Sequence, residues 1–330
     1  MKLEDIPRIR SAFLPTPLEY LPRLSKKFRD CRIWMKRDDL TGHCFGGNKE
    51  RKLEYIMADA IAKKARTVVT VGAVQSNHCR MTAAMARRLG MNASLILIEE
   101  EPVQSFPEAN HFLDIFLGAE IHIVKKDAVQ EKIDFVMETL RTNGRSPYFI
   151  DGGGHNELGA MGYASAFFEM EKQLADLGEK ADHIFVAVGT ATTYAGLAAG
   201  AAIAGFKGSI HGVSVARKKD RCSSEISIIL QKMVPILGFP LLPDAFLVYD
   251  EYVGDGYGIL YDECISSMRL LAQEEGTVLD PVYNAKAFHG MMDLRGKGAI
   301  GGNIVYINTG GLPGIFSTAQ MKKMIDLTRC

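Results

Sequence analysis

The run Thr67-Val68-Val69-Thr70-Val71-Gly72-Ala73-Val74-Gln75-Ser76-Asn77-His78 reads as a strand, a glycine turn and the start of a helix. Residues 67–71 are β-branched throughout, which suits a strand covered on both faces. A helical pattern follows over 77–89, and Ser76 or Asn77 can cap it. The same unit recurs in both directions. Strand-like runs lie at 32–36, 94–98, 121–124, 148–150, 184–188, 210–215 and 304–307. Helical patterns cover 48–64, 106–117, 128–143, 157–174, 192–204, 225–237, 261–275 and 285–297. In the first of these Leu53, Ile56, Met57, Ala60 and Ile61 fall on one stripe of an amphipathic helix. Alternation of this kind predicts an α/β fold with mainly parallel sheets.

At roughly 150 residues per domain, 330 residues suggest two domains. No internal repeat and no low-complexity linker divides them, so one domain is expected to be inserted in the other. Crossings at 45–48 and 151–156 give a larger domain, 1–50 plus 161–330, and a smaller one, 51–160. A single doubly wound domain with a long sheet is the alternative.

With 39 Lys plus Arg against 39 Asp plus Glu the formal charge is zero, which argues against a broad nucleic-acid surface. Hydrophobic residues at 47% and charged residues at 24% exclude a disordered or mainly coiled-coil chain. Cys31, Cys44, Cys79, Cys222, Cys264 and Cys330 form no C-x-x-C pair, so no metal ribbon or redox pair is expected. Scattered thiols, early acids at the N-terminus and apolar runs too short to span a bilayer place the expected compartment in the cytoplasm, off the membrane.

Ligands of open α/β sheets collect where strands run into helices, and four such places carry unusual residues. In Gly46-Gly47-Asn48-Lys49-Glu50-Arg51-Lys52 the lysines sit three apart on one helical face. A buried amine at a helix start would have a lowered pKa, the property of a Schiff-base nucleophile; a solvated basic turn is the ordinary alternative. Gln75-Ser76-Asn77-His78 is more polar than a cap requires, and the free amides at that helix start suit a carboxylate. Gly189-Thr190-Ala191-Thr192-Thr193 follows an apolar strand and forms an anion cradle without the Walker or G-x-G-x-x-G order, though a plain tight turn has the same signature. Near the C-terminus, Tyr257 lies in a glycine-rich loop. There Tyr283 could stack on a planar ring and Asn284 could bond a ring heteroatom, although such aromatics are usually core.

Taken together these segments resemble the D-cysteine desulfhydrase / 1-aminocyclopropane-1-carboxylate (ACC) deaminase family of pyridoxal-phosphate enzymes, of the tryptophan-synthase-β-like fold. The resemblance runs from Pro15-Thr16-Pro17-Leu18 and Lys36-Arg37-Asp38-Asp39, through Gly46–Lys49 and Gln75–His78, to Leu158–Tyr163, Asp280-Pro281-Val282-Tyr283 and Thr309-Gly310-Gly311. It implies two open twisted sheets flanked by helices, a small mobile domain inserted in a larger one, and a homodimer. It implies a Schiff base between Lys49 and pyridoxal 5'-phosphate, with Lys49 later moving the α-proton. Asn77 would bond the ring hydroxyl, Lys52 and Gly189, Thr190, Ala191, Thr192 and Thr193 would hold the phosphate, Tyr283 would flank the ring and Asn284 would face its nitrogen. Ser76, Asn77 and His78 would take a small amino acid's carboxylate, with Tyr257 reaching in opposite.

The implied reaction is α,β-elimination, with D-cysteine yielding pyruvate, sulfide and ammonia. ACC deaminases usually carry glutamate and glutamine where this chain has Asn284 and His78, and a neutral amide is the weaker partner for ring opening. Other departures point away from D-cysteine: Asn284-Ala285, His155 in place of a common serine, and Ala191-Thr192-Thr193 in place of a glycine-rich loop. ACC deamination and L-cysteate sulfo-lysis, the latter with Arg217 holding an added anion, are alternatives. A racemase and a non-catalytic cofactor binder are readings from other classes.

Overall fold

In a computed structural model describing residues 2–28, 31–99, 106–240 and 245–326, the chain builds ten strands into two sheets. The strands are β1 (Leu18–Tyr20), β2 (Cys31–Arg37), β3 (Thr67–Ala73), β4 (Asn92–Ile98), β5 (Glu120–Val124), β6 (Pro147–Ile150), β7 (His183–Val188), β8 (Ser209–Ser214), β9 (Leu247–Tyr249) and β10 (Gly302–Asn308). The larger sheet has the order β1-β2-β10-β7-β8-β9, and the smaller β5-β4-β3-β6. All pairings are parallel except that of β1 with β2. Cys330 lies outside the described residues.

The helices are α1 (Pro22–Lys27), α2 (Asn48–Ala62), α3 (Asn77–Arg88), α4 (Ala109–Phe116), α5 (Val129–Thr142), α6 (Glu157–Asp176), α7 (Thr192–Ala204), α8 (Lys219–Leu237), α9 (Asp262–Glu275), α10 (Asn284–Gly296) and α11 (Thr318–Asp326). Both faces of the larger sheet are covered, as the apolar strands require. Along β7, Ile184, Val186 and Val188 pack toward α6, α7 and α8, while Phe185 and Ala187 pack toward α1, α9 and α10. In the smaller sheet Val68, Leu95 and Leu97 face α2 and α3, and Val69 and Ile96 face α5. Among the described residues no helix is long and apolar enough to cross a membrane.

Two devices fix α2 against the larger sheet. Arg51, 1% exposed, donates to Asp38 at 2.9 and 2.8 Å and to Glu169 at 2.8 Å. Lys36 joins Glu169 at 2.6 Å, and the Tyr163 hydroxyl donates to Asp38 at 2.6 Å. Beside this cluster Gly162 of α6 lies so close under the Arg51 carbonyl that a Cβ would collide with backbone. The first turn of α2 is thereby held rigidly, with Lys49 and Lys52 projecting from it.

Candidate active site

The carboxyl ends of β3, β7, β8 and β10 converge on a cavity of about 490 Å³. Its wall brings together Lys49, Lys52, Ser76, Asn77, His78, Gly189, Thr190, Ala191, Thr193, Tyr257 and Tyr283. Thr192 and Asn284, expected with them, are absent from the wall.

The glycines before α2 serve close approach. Gly46 has φ +59° and Gly47 φ +131°, and a Cβ on Gly47 would sit 3.1 Å from the Thr309 carbonyl. The two amines that follow share one acceptor: Lys49 Nζ donates to the Gly153 carbonyl at 3.3 Å and Lys52 Nζ at 3.4 Å. Burial pushes Lys49 down to about 8. Burial, and then the neighbouring Lys49, push Lys52 well below its ordinary value. A solvated basic turn is excluded, since Lys52 is 1% exposed.

At the start of α3 the Ser76 hydroxyl accepts from the Cys79 amide at 3.2 Å. The amides of Asn77 and His78, in the first turn, have no intrahelical acceptor. Asn77 Oδ1 accepts from Asn110 Nδ2 at 2.9 Å, so its own amino group is the end left for a ligand. Asn110 is fully buried and also grips Gln75, its backbone amide donating to Gln75 Oε1 and its side-chain amino group to the Gln75 carbonyl, each at 2.9 Å. His78 departs from expectation. Thr70 spends its hydroxyl proton on the Ile150 carbonyl at 2.7 Å, so His78 Nε2, 2.9 Å away, must be the donor. Burial, then Lys49 and Lys52, hold the ring well below its ordinary pKa, hence neutral. Its Nδ1 is buried without a partner and offers a lone pair, which repels a carboxylate. The side-chain role expected for His78 is therefore corrected, while its backbone amide stays available.

In the loop after β7, Ala191 takes a left-handed φ of 69°, which turns the chain into α7. Thr193 accepts from Asn48 Nδ2 at 3.0 Å. The Thr192 hydroxyl points away from the cavity, toward His155 at 3.1 Å. Across the cavity the Tyr283 ring lies over Gly189, where a Cβ would meet it at 3.3 Å, and its hydroxyl is 2.7 Å from that of Tyr257.

Asn284 is corrected as well. Its amino group donates to Asp280 at 2.6 Å and to the Gly310 carbonyl at 2.8 Å, and its oxygen accepts from the Thr309 amide and the Tyr306 hydroxyl, each at 3.0 Å. With every donor and acceptor filled it has nothing for a ring heteroatom. Thr309, resting on that amide, reaches the wall in its place.

Sequence reasoning missed Thr309 and Asn110 as site residues. The glycines after Thr309 marked the loop, but no local signal marks Asn110. Arg217 and Lys126 also line the cavity, whereas no Asp or Glu does among the described residues. A wall whose Lys and Arg side chains face no acid among the described residues, two buried amines, two helix starts and a tyrosine face fit a planar phosphate ester. Pyridoxal phosphate is such a molecule, with an aldehyde for the amine.

Comparison with known proteins agrees. A family profile described as "Pyridoxal-phosphate dependent enzyme" matches residues 9–310. The chain is 38% identical to a provisionally named ACC deaminase of Pyrococcus abyssi, over 98% of this chain and 97% of that one. It is 37% identical to a D-cysteine desulfhydrase of Salmonella choleraesuis, over 96% and 97%. The crystal structure of an ACC deaminase homologue superposes with a TM-score of 0.90 at 36% identity, covering 98% of this chain and 97% of that one. The chain belongs to the pyridoxal-phosphate-dependent enzymes, as a lyase of their ACC deaminase / D-cysteine desulfhydrase family.

Proposed function

We propose that the enzyme catalyses α,β-elimination on D-cysteine, giving pyruvate, sulfide and ammonia. The observation that carries this choice is the cavity wall: among the described residues it holds no carboxylate, and the position where the resemblance expects glutamate in ACC deaminases is a fully committed amide, Asn284. A carboxylate would keep a pyridine nitrogen protonated and strengthen electron withdrawal. A hydroxyl such as that of Thr309 does so weakly, which suffices when the leaving group is a thiolate.

When bound, pyridoxal phosphate supplies the conjugated sink for electrons released at the substrate's α-carbon. The chain's own groups do the rest. Lys49 Nζ, with a pKa near 8, is substantially free base in mildly basic solution, the form that acts as nucleophile and as acceptor of the α-proton. Lys52, Gly189, Thr190, Ala191, Thr193 and the first amides of α7 would hold the phosphate. Asn77 would donate to the ring hydroxyl, and Tyr283 would cover the ring. Ser76, Asn77 and the backbone of His78 would bind the substrate carboxylate. Tyr257 and Tyr283, joined through their hydroxyls, would carry a proton to the departing group.

The smaller domain at 51–160, the homodimer and the cytoplasmic location belong to the same proposal. Phe112, Ile115 and Phe116, exposed on α4, offer apolar area for a second copy. Purified yellow protein should release pyruvate and sulfide in equal amounts from D-cysteine, and little or no keto acid from ACC or L-cysteate. Formation of 2-oxobutyrate from ACC with D-cysteine inert would reverse the substrate choice, and keto acid from L-cysteate alone would move it to sulfo-lysis.

A further inference from the structure

Behind the β7 loop four side chains form a hydrogen-bonded line. Thr190 Oγ1 lies 3.3 Å from Thr192 Oγ1, which lies 3.1 Å from His155 Nδ1, and His155 Nε2 lies 2.8 Å from Glu225 Oε2. Thr190 alone of the four touches the cavity. Thr192 is fully buried and Glu225 is 8% exposed. Glu225 is held ionised by its neighbours: Arg221 lies 2.5 Å from Oε1 and Arg217 3.8 Å.

An ionised carboxylate only accepts, so His155 keeps a hydrogen on Nε2 in either charge state. The state of Nδ1 then sets the direction of the whole line. In the neutral ring Nδ1 is a lone pair. Thr192 donates to it, Thr190 donates to Thr192, and Thr190 shows the cavity only oxygen lone pairs. In the imidazolium Nδ1–H donates to Thr192, Thr192 donates to Thr190, and the Thr190 proton is released toward the cavity. The first arrangement repels an anion and the second binds one.

We propose that His155 is a positioning residue that couples a proton to anion binding: a phosphate monoester at the β7 loop and a proton taken from solvent onto His155 Nδ1 bind together. The groups facing the ring explain why the proton waits for the anion. Burial lowers the His155 pKa from its ordinary value, Glu225 of α8 raises it, and Lys52 of α2 and Arg217 lower it again. A bound dianion offsets the two cations, and the balance then turns toward the imidazolium. Serine, expected here from the resemblance, could not titrate.

The inference rests on the phosphate of pyridoxal phosphate occupying this loop, and the test separates the two. Full-length protein freed of cofactor is titrated with pyridoxal phosphate and with pyridoxal, from about pH 6 to about pH 9, in wild type and His155→Gln. Ionisation of Lys49 affects both ligands and cancels in their affinity ratio. The phosphate's own second ionisation, near pH 6, is common to both proteins. The preference of wild type for the phosphate ester, relative to that of His155→Gln, is expected to fall about tenfold per pH unit between the free and bound pKa values of His155. Parallel profiles in the two proteins overturn the coupling. If the variant does not fold, a wild-type preference that, after division by the fraction of the ester present as dianion, is flat or rising across neutral pH overturns it equally. No preference for the phosphate ester at any pH overturns the phosphate site itself, and the coupling with it.

Discussion

Asn77 presents its amino group to the cavity because Asn110, thirty-three residues on in the chain, occupies its oxygen. Removing that donor frees the Asn77 amide to rotate while substituting no cavity-lining residue. Asn110→Ala is expected to move the pH midpoint of the bound cofactor's visible band by about one unit, and to cost about tenfold in kcat/KM. An unchanged midpoint would show that Asn110 serves stability alone. From the sequence Lys49, Ser76, Asn77 and Tyr283 were singled out, and all four line the candidate cavity. Hydrogen-bond commitments were not legible there. Asn284 is used up by Tyr306, Thr309 and Gly310, and His78 is fixed by Thr70, partners supplied by folding rather than by spacing. An amide or imidazole can donate or accept, and only its partners decide which.

Among the elements, α2 depends on a close crossing with α6. Gly162→Ala would push a methyl group into the Arg51 carbonyl and the Lys52 amide, backbone atoms that cannot step aside. A loss of about 1–3 kcal/mol in unfolding free energy is expected, together with weaker cofactor retention as the Lys49 turn shifts. Gly296→Ala, at the end of α10 with nothing within 4 Å of a built Cβ, is the control and should be neutral or slightly stabilising. Equal effects in the two variants, measured by urea unfolding, would contradict the role given to the crossing. Long apolar strands and amphipathic helices were legible because burial on two faces or on one stripe leaves a period. The edge strands β1 and β9, three residues each, are too short to show one. The helix expected from 225 begins at Lys219, because the polar turn Lys219-Asp220-Arg221 adds no apolar residue to the stripe. The helix expected from 106 begins at Ala109.

The whole molecule carries a buried acid that chemistry at the cavity does not use. Asp114 of α4 is fully buried, both its oxygens lack partners, and burial pushes its pKa up to about 8, with Arg80 opposing. Between its unfolded value of 3.8 and about 8 the folded chain keeps a proton that the unfolded chain has released, so stability falls as pH rises through that window. Below the window the penalty is absent, and above it the penalty is complete. Asp114→Asn should therefore stabilise the protein at pH 7 by an amount on the order of 4 kcal/mol, with little effect near pH 4. A lower Tm for the variant at pH 7 would mean that Asp114 is ionised and paired with Arg80. At this scale mainly parallel sheets could be foreseen from the alternation of strands and helices, and two of them from the resemblance, but not that α3 and α4 bury Asp114, Asn110 and Arg80 together. No periodicity marks polar residues for burial.

The central claim is covalent, and borohydride reduction of the holoenzyme followed by peptide mapping tests it most directly. The account predicts one pyridoxyl group per chain, on Lys49, and loss of the yellow colour in Lys49→Ala. A label on Lys52 or another lysine, or none in a protein that still turns over substrate, would contradict it.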